Sequence, residues 1–421
     1  MYKHNEFQLW EHLMSIANIG ADPEGGISRF AWTKEYKQAC LSLISLAKKY
    51  NIDTRLDTVG NLYFHMDGKN KNLPKILIGS HLDTVPHGGC FDGIAGVMAG
   101  LEALIFCKEK NIIPEQGIDV IAFVNEEGTQ FLGGTFGSRA VCGNLEADYV
   151  DSCKDYYTGQ TMRDAMVEFG MGLDPDNLAG SIIVSSDYLC FIELHIEQGR
   201  YLLDHDLPVA IVTDIAGIQQ MYAKIHGESC HAGGMAMASR HDTLMAAASI
   251  ASRIEEYALK SGGKDTRATV GYIKSMPGIH NVVPGETEIP IDFREDNDEI
   301  WTQFYEGIIH FFNEECNKRG LSYEIIKTLE LKPAHCNKTL VHLMEDCADD
   351  LGIKYTKMVS YPCHDAVNME RIMPIGMIFL RSLNGGVSHC PQELTSAEDF
   401  TDGANILLNL VLKNINDEGL E

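Results

Sequence analysis

Apolar and polar positions along the chain fall into two textures. Residues 34–50 (KEYKQACLSLISLAKKY) place Ala39, Leu43, Leu46 and Ala47 at helical spacing, which predicts a surface helix over a core. Short apolar runs bounded by turn residues follow (NLYFHM, KILIGSH, IDVIAFVNEE and LCFIELHIEQG), with helical stretches such as 93–108 between several of them. Strands alternating with helices predict a largely parallel α/β sheet, in which ligands bind beyond the carboxyl ends of the strands. From about residue 215 the order becomes strand MYAKIHGES, helix near 241–259, strands RATVGYIKS and TEIPIDFRE, helix near 297–318 and strand LSYEIIKTLEL. This βαββαβ order predicts helices layered on a small antiparallel sheet. Alternation resumes near 331 and ends in a helix near 396–413. The predicted organisation is an α/β domain over 1–214 and 331–421, interrupted by an inserted α+β domain over 215–330.

Composition narrows the partners. The chain has 421 residues, with 34 basic against 60 acidic side chains and a net charge of −26, a field that repels phosphate backbones and anionic membranes. A small-molecule ligand is expected, and neither nucleic acid nor membrane. The N-terminal MYKHNEFQLWEHL lacks the apolar segment of a secretory signal, which predicts a cytoplasmic protein. Twelve scattered cysteines without a CxxC pair fit reduced thiols better than a disulfide framework or a zinc finger.

The candidate chemistry sits at the strand ends. KILIGSHLDTV closes an apolar run with His81 and Asp83 two residues apart, a spacing that suits a metal ligand and a carboxylate that orients it. Asp92 in GGCFDGIAGV stands where a helix N-cap belongs; capping explains one Asp there, and a carboxylate bridging two metals is the alternative. After IDVIAFV come Asn125, Glu126 and Glu127, adjacent carboxylates that point to opposite faces and can divide ligation from proton transfer. LCFIELHIEQG sets Glu193, His195 and Glu197 on one face of an extended segment, and His389 lies in a Gly-rich loop after PIGMIFL. Mixed imidazole and carboxylate ligands suit Zn²⁺, Mn²⁺ or Co²⁺, two ions if a carboxylate is shared, and hydrolytic chemistry. The chain contains no G-x-S-x-G elbow or Walker loop.

The motifs GSHLDTVPHGGCFDGIAG, NEEG, ELHIEQG, HAG, NVVPG, DFR and SHCPQE resemble the metal-dependent amidase, hydantoinase and carbamoylase branch of the M20 peptidase family. The resemblance spans nearly the whole chain. It implies a di-metal catalytic domain with an inserted ferredoxin-like lid that makes a homodimer contact. His81 and His195 would hold one divalent ion, Glu127 and His389 the other, with Asp92 bridging, Asp83 orienting His81 and Glu126 as general base. Asn281 of HNVVPG and Arg294 of PIDFRED would bind the substrate carboxylate, where Arg offers a bidentate fork. His231 of ESCHAG would polarise the scissile carbonyl from the partner subunit, and Gln198 and Gln219 are further substrate contacts.

Two departures bear on the substrate. The chain reads HAGGMAM over His231–Met237 where the family usually has HAGTTPM, and SYPCHDA over Ser360–Ala366 where it usually has SGAGHDA, with His364 and Asp365 retained in a supporting role. Allantoate amidohydrolases resemble one another in an Arg on the first strand of the inserted domain, where this chain has Gln219 and Gln220. The expected reaction is therefore hydrolysis of an N-carbamoyl-L-amino acid to amino acid, ammonia and carbon dioxide. Hydrolysis of allantoate or ureidoglycine, or of an acyl or peptide bond, and a catalytically silent binding protein are the alternatives. Arg381 stands where relatives commonly have Pro, and the sequence offers no account of it.

Overall fold

A computed structural model describes residues 1–131, 133–261, 263–264, 266–413, 415 and 420. The chain separates into two compact units, Met1–Thr213 with His335–Ser360 and His364–Glu421, and Asp214–Ala334 with Tyr361–Cys363. Among the described residues no helix is long and apolar enough to cross a membrane.

The first unit is built on a mixed sheet in the order Asp53–Leu56, Leu62–Met66, Ile118–Phe123, Lys75–His81, Tyr188–Ile196, Ile375–Leu380 and Val209–Ile215, the last of which also pairs with Ala334–His335 and Tyr355–Ser360. The four strands from Ile118–Phe123 to Ile375–Leu380 are mutually parallel, while Asp53–Leu56 with Leu62–Met66, Leu62–Met66 with Ile118–Phe123, and Ile375–Leu380 with Val209–Ile215 are antiparallel. The expectation of a largely parallel sheet therefore holds for its centre. At the Asp53 edge the reason is chain length: the connection from Leu56 to Leu62 is too short for the crossover that a parallel pair needs.

Tyr188–Ile196 is buried along its whole length, so Glu193 and His195 are as enclosed as Phe191 and Leu194. The helix Ile94–Lys110 is buried continuously from Ile94 to Cys107. Its approach to the sheet depends on Gly96, where a Cβ would stand 2.1 Å from the Leu194 carbonyl oxygen and 2.8 Å from Ser80 Cβ. Close packing here brings Asp92, just before the helix, to the carboxyl ends of the central strands.

The second unit layers two helices, Thr243–Ser261 and Asp298–Arg319, against an antiparallel sheet ordered Arg267–Val270, Glu286–Glu295, Gly217–His226 and Ser322–Leu331. Met221, Ala223 and Ile225 alternate with more exposed positions, as do Ile289, Ile291 and Phe293, and these inward residues meet Ile250, Phe304 and Ile308 of the helices. The single strand expected over RATVGYIKS is two, Arg267–Val270 and Lys274–Met276, both paired to Glu286–Glu295.

Candidate metal centre

Four of the five predicted ligands enter the first unit's centre from buried strand ends or from the buried start of a helix. His81 ends its strand, His195 is one residue from the end of its own, Asp92 lies just before Ile94–Lys110, and Glu127 follows Ile118–Phe123. His389, at positive φ in the loop after Ile375–Leu380, is the fifth. Two donor groups result, His81–Asp92–His195 and Asp92–Glu127–His389, in each of which one ligand atom per residue lies within 4.8 Å of the others. Asp92 belongs to both. Its Oδ1 is 2.9 Å from His195 Nε2 and 3.6 Å from His81 Nε2, whereas its Oδ2 is 3.0 Å from His389 Nε2. Asp92 does not cap the helix: Gly93 is the N-cap residue, with φ of 68°, and no side chain caps that end.

The donor chemistry fits divalent cations. His81 Nδ1 donates to the Asp83 carbonyl at 3.0 Å and His195 Nδ1 to the Ile196 carbonyl at 2.9 Å, because a carbonyl can only accept. Both neutral rings then turn unprotonated Nε2 atoms inward, 3.4 Å from each other. Asp92 Oδ1 and Glu127 Oε1 are buried with no hydrogen-bond donor. Lone pairs gathered in a buried site without protons between them call for positive charge. Without ions the histidines must supply it. Burial alone would lower His81 and His195, but Asp92 and, for His81, Glu126 and Glu127 outweigh it and raise both. His389 is raised to about 9, first by its bond to Asp92. Burial would raise Asp92, yet His195, His389 and His81 hold it well below the usual carboxylate range.

Glu126 stands beside the ligands, with Oε2 4.0 Å from His81 Nε2, and Glu127 Oε2 is 3.5 Å from His389 Nε2. Both adjacent side chains thus serve the one centre instead of opposite faces, since the chain turns sharply at Asn125, whose φ is 56°. Burial, and next the carboxylates of Glu127, Asp365 and Asp83, push Glu126 well above the usual range against the opposing pull of His81. Burial followed by Asp92 brings Glu127 up to about 7.

Asp83 orients more than was expected of it. Its main-chain carbonyl, not its carboxylate, holds the His81 ring; the carboxylate accepts the N–H of Glu126 at 3.0 Å and of Glu127 at 3.1 Å. Gln198, expected as a substrate contact, donates to Asp92 Oδ2 at 2.9 Å and lies 3.2 Å from His389 Nε2. Glu193 and Glu197 stay out of the centre, capping backbone N–H groups of Ala366 and of Tyr201 and Leu202. The buried His364 ring stands edge-on to His195, 4.5 Å between centroids, and Asp365 accepts the hydroxyl of Ser138.

Two supporting residues escaped the sequence reading. Glu393 accepts the N–H groups of Phe91 and Asp92, each at 3.0 Å, and the hydroxyl of Ser388, which tie the Asp92 turn to the His389 loop. Its place in SHCPQE was the available signal. The fully buried Arg29 donates to the carbonyl of Leu82, between His81 and Asp83, and to those of Ala17 and Ile19; nothing in GISRFAW marked it.

The remaining candidates lie in the second unit. His231 accepts the N–H groups of Gly233 and Gly234 on Nδ1, each at 3.1 Å, so the neutral ring carries its proton on Nε2 and presents a donor there. His231 pairs with Val282, and the N–H of Ala232 donates to the carbonyl of Asn281, which sets His231 and Asn281 side by side. Arg294 donates to Asp292 at 3.0 Å and to the Tyr361 carbonyl at 2.9 Å. Gln219 lies opposite Phe293, 1% exposed, on the helix-covered face of the sheet. Strand alternation puts Gln220 on the face of Arg294, with its amide on Asp292 at 2.9 Å.

With this geometry in hand, comparison with known proteins is decisive: residues 77–413 match the model of peptidase family M20/M25/M40. The chain belongs to that family. It is 34% identical over 404 residues to an N-carbamoyl-L-amino-acid amidohydrolase of Pseudomonas sp. (strain NS671), covering 96% of this chain and 97% of the relative. It is 32% identical over 407 residues to an allantoate amidohydrolase of Bacillus subtilis (strain 168), covering 96% and 97%. The crystal structure of an amidase of the hydantoinase/carbamoylase family from Burkholderia multivorans superposes with a TM-score of 0.87 at 29% identity, covering 97% of this chain and 98% of that one.

Proposed function

We propose that this M20 family member is a metal-dependent amidohydrolase acting on the ureido group of an N-carbamoyl-L-amino acid. The observation that carries the reading is Asp92, whose two oxygens are divided between two donor groups with Glu126 at their edge. Divalent ions bound there, His81 and His195 holding one and Glu127 and His389 the other, would supply Lewis acidity and an acidified water. Glu126 takes the proton of the attacking water and returns it to the departing nitrogen. Its raised affinity for a proton, imposed by burial and neighbouring carboxylates, suits both transfers. His231 donates its Nε2–H to the carbonyl oxygen as negative charge develops there. Asn281 and Arg294 hold the substrate carboxylate, and Gln198 orients the carbonyl from its position at Asp92 and His389. The C–N bond to the terminal nitrogen breaks, ammonia leaves, and the carbamate left on the amino nitrogen decomposes to carbon dioxide and the amino acid. The second unit, as a lid, carries the contact of a cytoplasmic homodimer in this reading.

Allantoate hydrolysis is the second reading, favoured by the Bacillus subtilis relative and opposed by glutamine at positions 219 and 220. Ammonia release from a panel of N-carbamoyl-L-amino acids, N-carbamoyl-β-alanine and allantoate, by protein stripped of metal and reloaded with Mn²⁺, Zn²⁺ or Co²⁺, separates the two. Release from a carbamoyl amino acid supports the proposal; release from allantoate alone transfers it to the second reading. Silence across the panel with two ions bound removes both.

A further inference from the structure

Arg294 of the Glu286–Glu295 strand is paired in register with Arg267 of the neighbouring Arg267–Val270 strand. Their neighbours Phe293, Ala268 and Val270 pack into the helix-covered core, so both arginines project from the other face of the sheet. Like charges directly opposite on adjacent strands repel, and a sheet ordinarily avoids them. Here the repulsion is only half relieved. Asp292 faces Arg294 at 3.0 Å and is already shared with the Gln220 amide at 2.9 Å. No described carboxylate forms an ion pair with Arg267. Its guanidinium lies instead over the ring of Tyr361, 3.5 Å from the centroid, while Arg294 holds the carbonyl of that same residue. Tyr361 belongs to the SYPC segment that replaces the family's usual glycine-bearing loop. A guanidinium stacked flat on an aromatic ring keeps its edge N–H groups free and fixed in orientation, the arrangement that suits a bidentate carboxylate.

We propose that Arg267 is a second carboxylate-binding residue, and that the substrate is the N-carbamoyl derivative of a dicarboxylic amino acid. The inference rests on the proposed function for the role of Arg294, which takes the α-carboxylate and leaves Arg267 for the side-chain carboxylate. Directly opposed side chains start about 4.5–5.5 Å apart at Cβ, a separation comparable to that of the two carboxylates of an aspartate or glutamate skeleton. Among the described residues Arg267 has a ring and no carboxylate beside it, so an anionic side chain of the substrate would complete its surroundings.

The test compares N-carbamoyl-L-glutamate with its neutral isostere N-carbamoyl-L-glutamine on metal-loaded protein, by kcat/KM and, in the Glu126→Gln variant, by calorimetric binding. The account expects a preference for glutamate of roughly 10- to 100-fold. It expects that ratio to collapse in Arg267→Met and to survive in part in Arg267→Lys, which keeps the charge without the fork. Equal handling of the two ligands by the unmodified protein, or a ratio unaltered in Arg267→Met, overturns the inference even where both compounds are hydrolysed. Preferential binding of the glutamate compound that is lost in Arg267→Met, without turnover of either, upholds Arg267 as a carboxylate site and overturns the proposed reaction.

Discussion

The carboxylate of Asp83 accepts the main-chain N–H of Glu126 at 3.0 Å, so the proposed base is held through its backbone by a residue two positions from a metal ligand. The second oxygen takes the N–H of Glu127, and one buried carboxylate thereby fixes the turn that delivers both glutamates. An asparagine at position 83 can accept only one of these bonds and turns an NH₂ group on the other donor. Asp83→Asn should therefore lower kcat by roughly 100-fold while protein and metals remain together, because His81 is held by the main chain of residue 83. Metal analysis beside kinetics checks this; loss of the ion at His81 and His195 would place the effect on ligation instead.

Glu126→Gln removes the proton acceptor and keeps the shape. We expect two ions per chain and a fall in kcat of about 10²- to 10⁴-fold with little change in substrate binding. A variant that turns over normally would assign the proton transfer to another group.

How much of this was legible in the sequence depends on how local each signal is. His81, Asp92, Glu127, His195 and His389 follow apolar runs or precede a helix, and the rule that a parallel sheet opens its site at the strand ends is enough to gather them. What a side chain does on arrival is less visible. Asp83 lies at the right spacing to bond the His81 ring, yet the backbone turn gives that task to its carbonyl. Adjacent glutamates predict opposite faces only if the strand continues, and it ends at Phe123. Gln219 and Gln220 differ by one position in a strand, which is all that separates the buried face from that of Arg294. Arg29 binds three carbonyls from two separate segments, a pattern that no short motif records.

Gln219 sits in an apolar environment with its Oε1 unpartnered. Gln219→Leu should leave the substrate constant unaltered and change stability by less than about 1 kcal/mol in either direction. A large rise in KM would return Gln219 to the substrate site.

Arg381, which the sequence could not explain, clamps the helix Ala397–Leu412. It donates to both oxygens of Asp399, at 2.8 and 3.0 Å, and to Asp206 at 2.9 Å. Asp399 is buried, so truncation leaves a buried carboxylate without its partner. Arg381→Ala should cost about 2–4 kcal/mol of stability, read as a lower Tm, with the metal content retained. An unchanged Tm would show that the clamp contributes nothing net.

In the proposed reaction Asp92 joins two metal sites in one hydrolytic centre. The most direct measurement titrates Mn²⁺ into stripped protein while following ammonia release from an N-carbamoyl-L-amino acid. The account predicts no release without metal and a rise that reaches its plateau at two ions per chain. Release by the stripped protein, or a plateau at one ion, would contradict it.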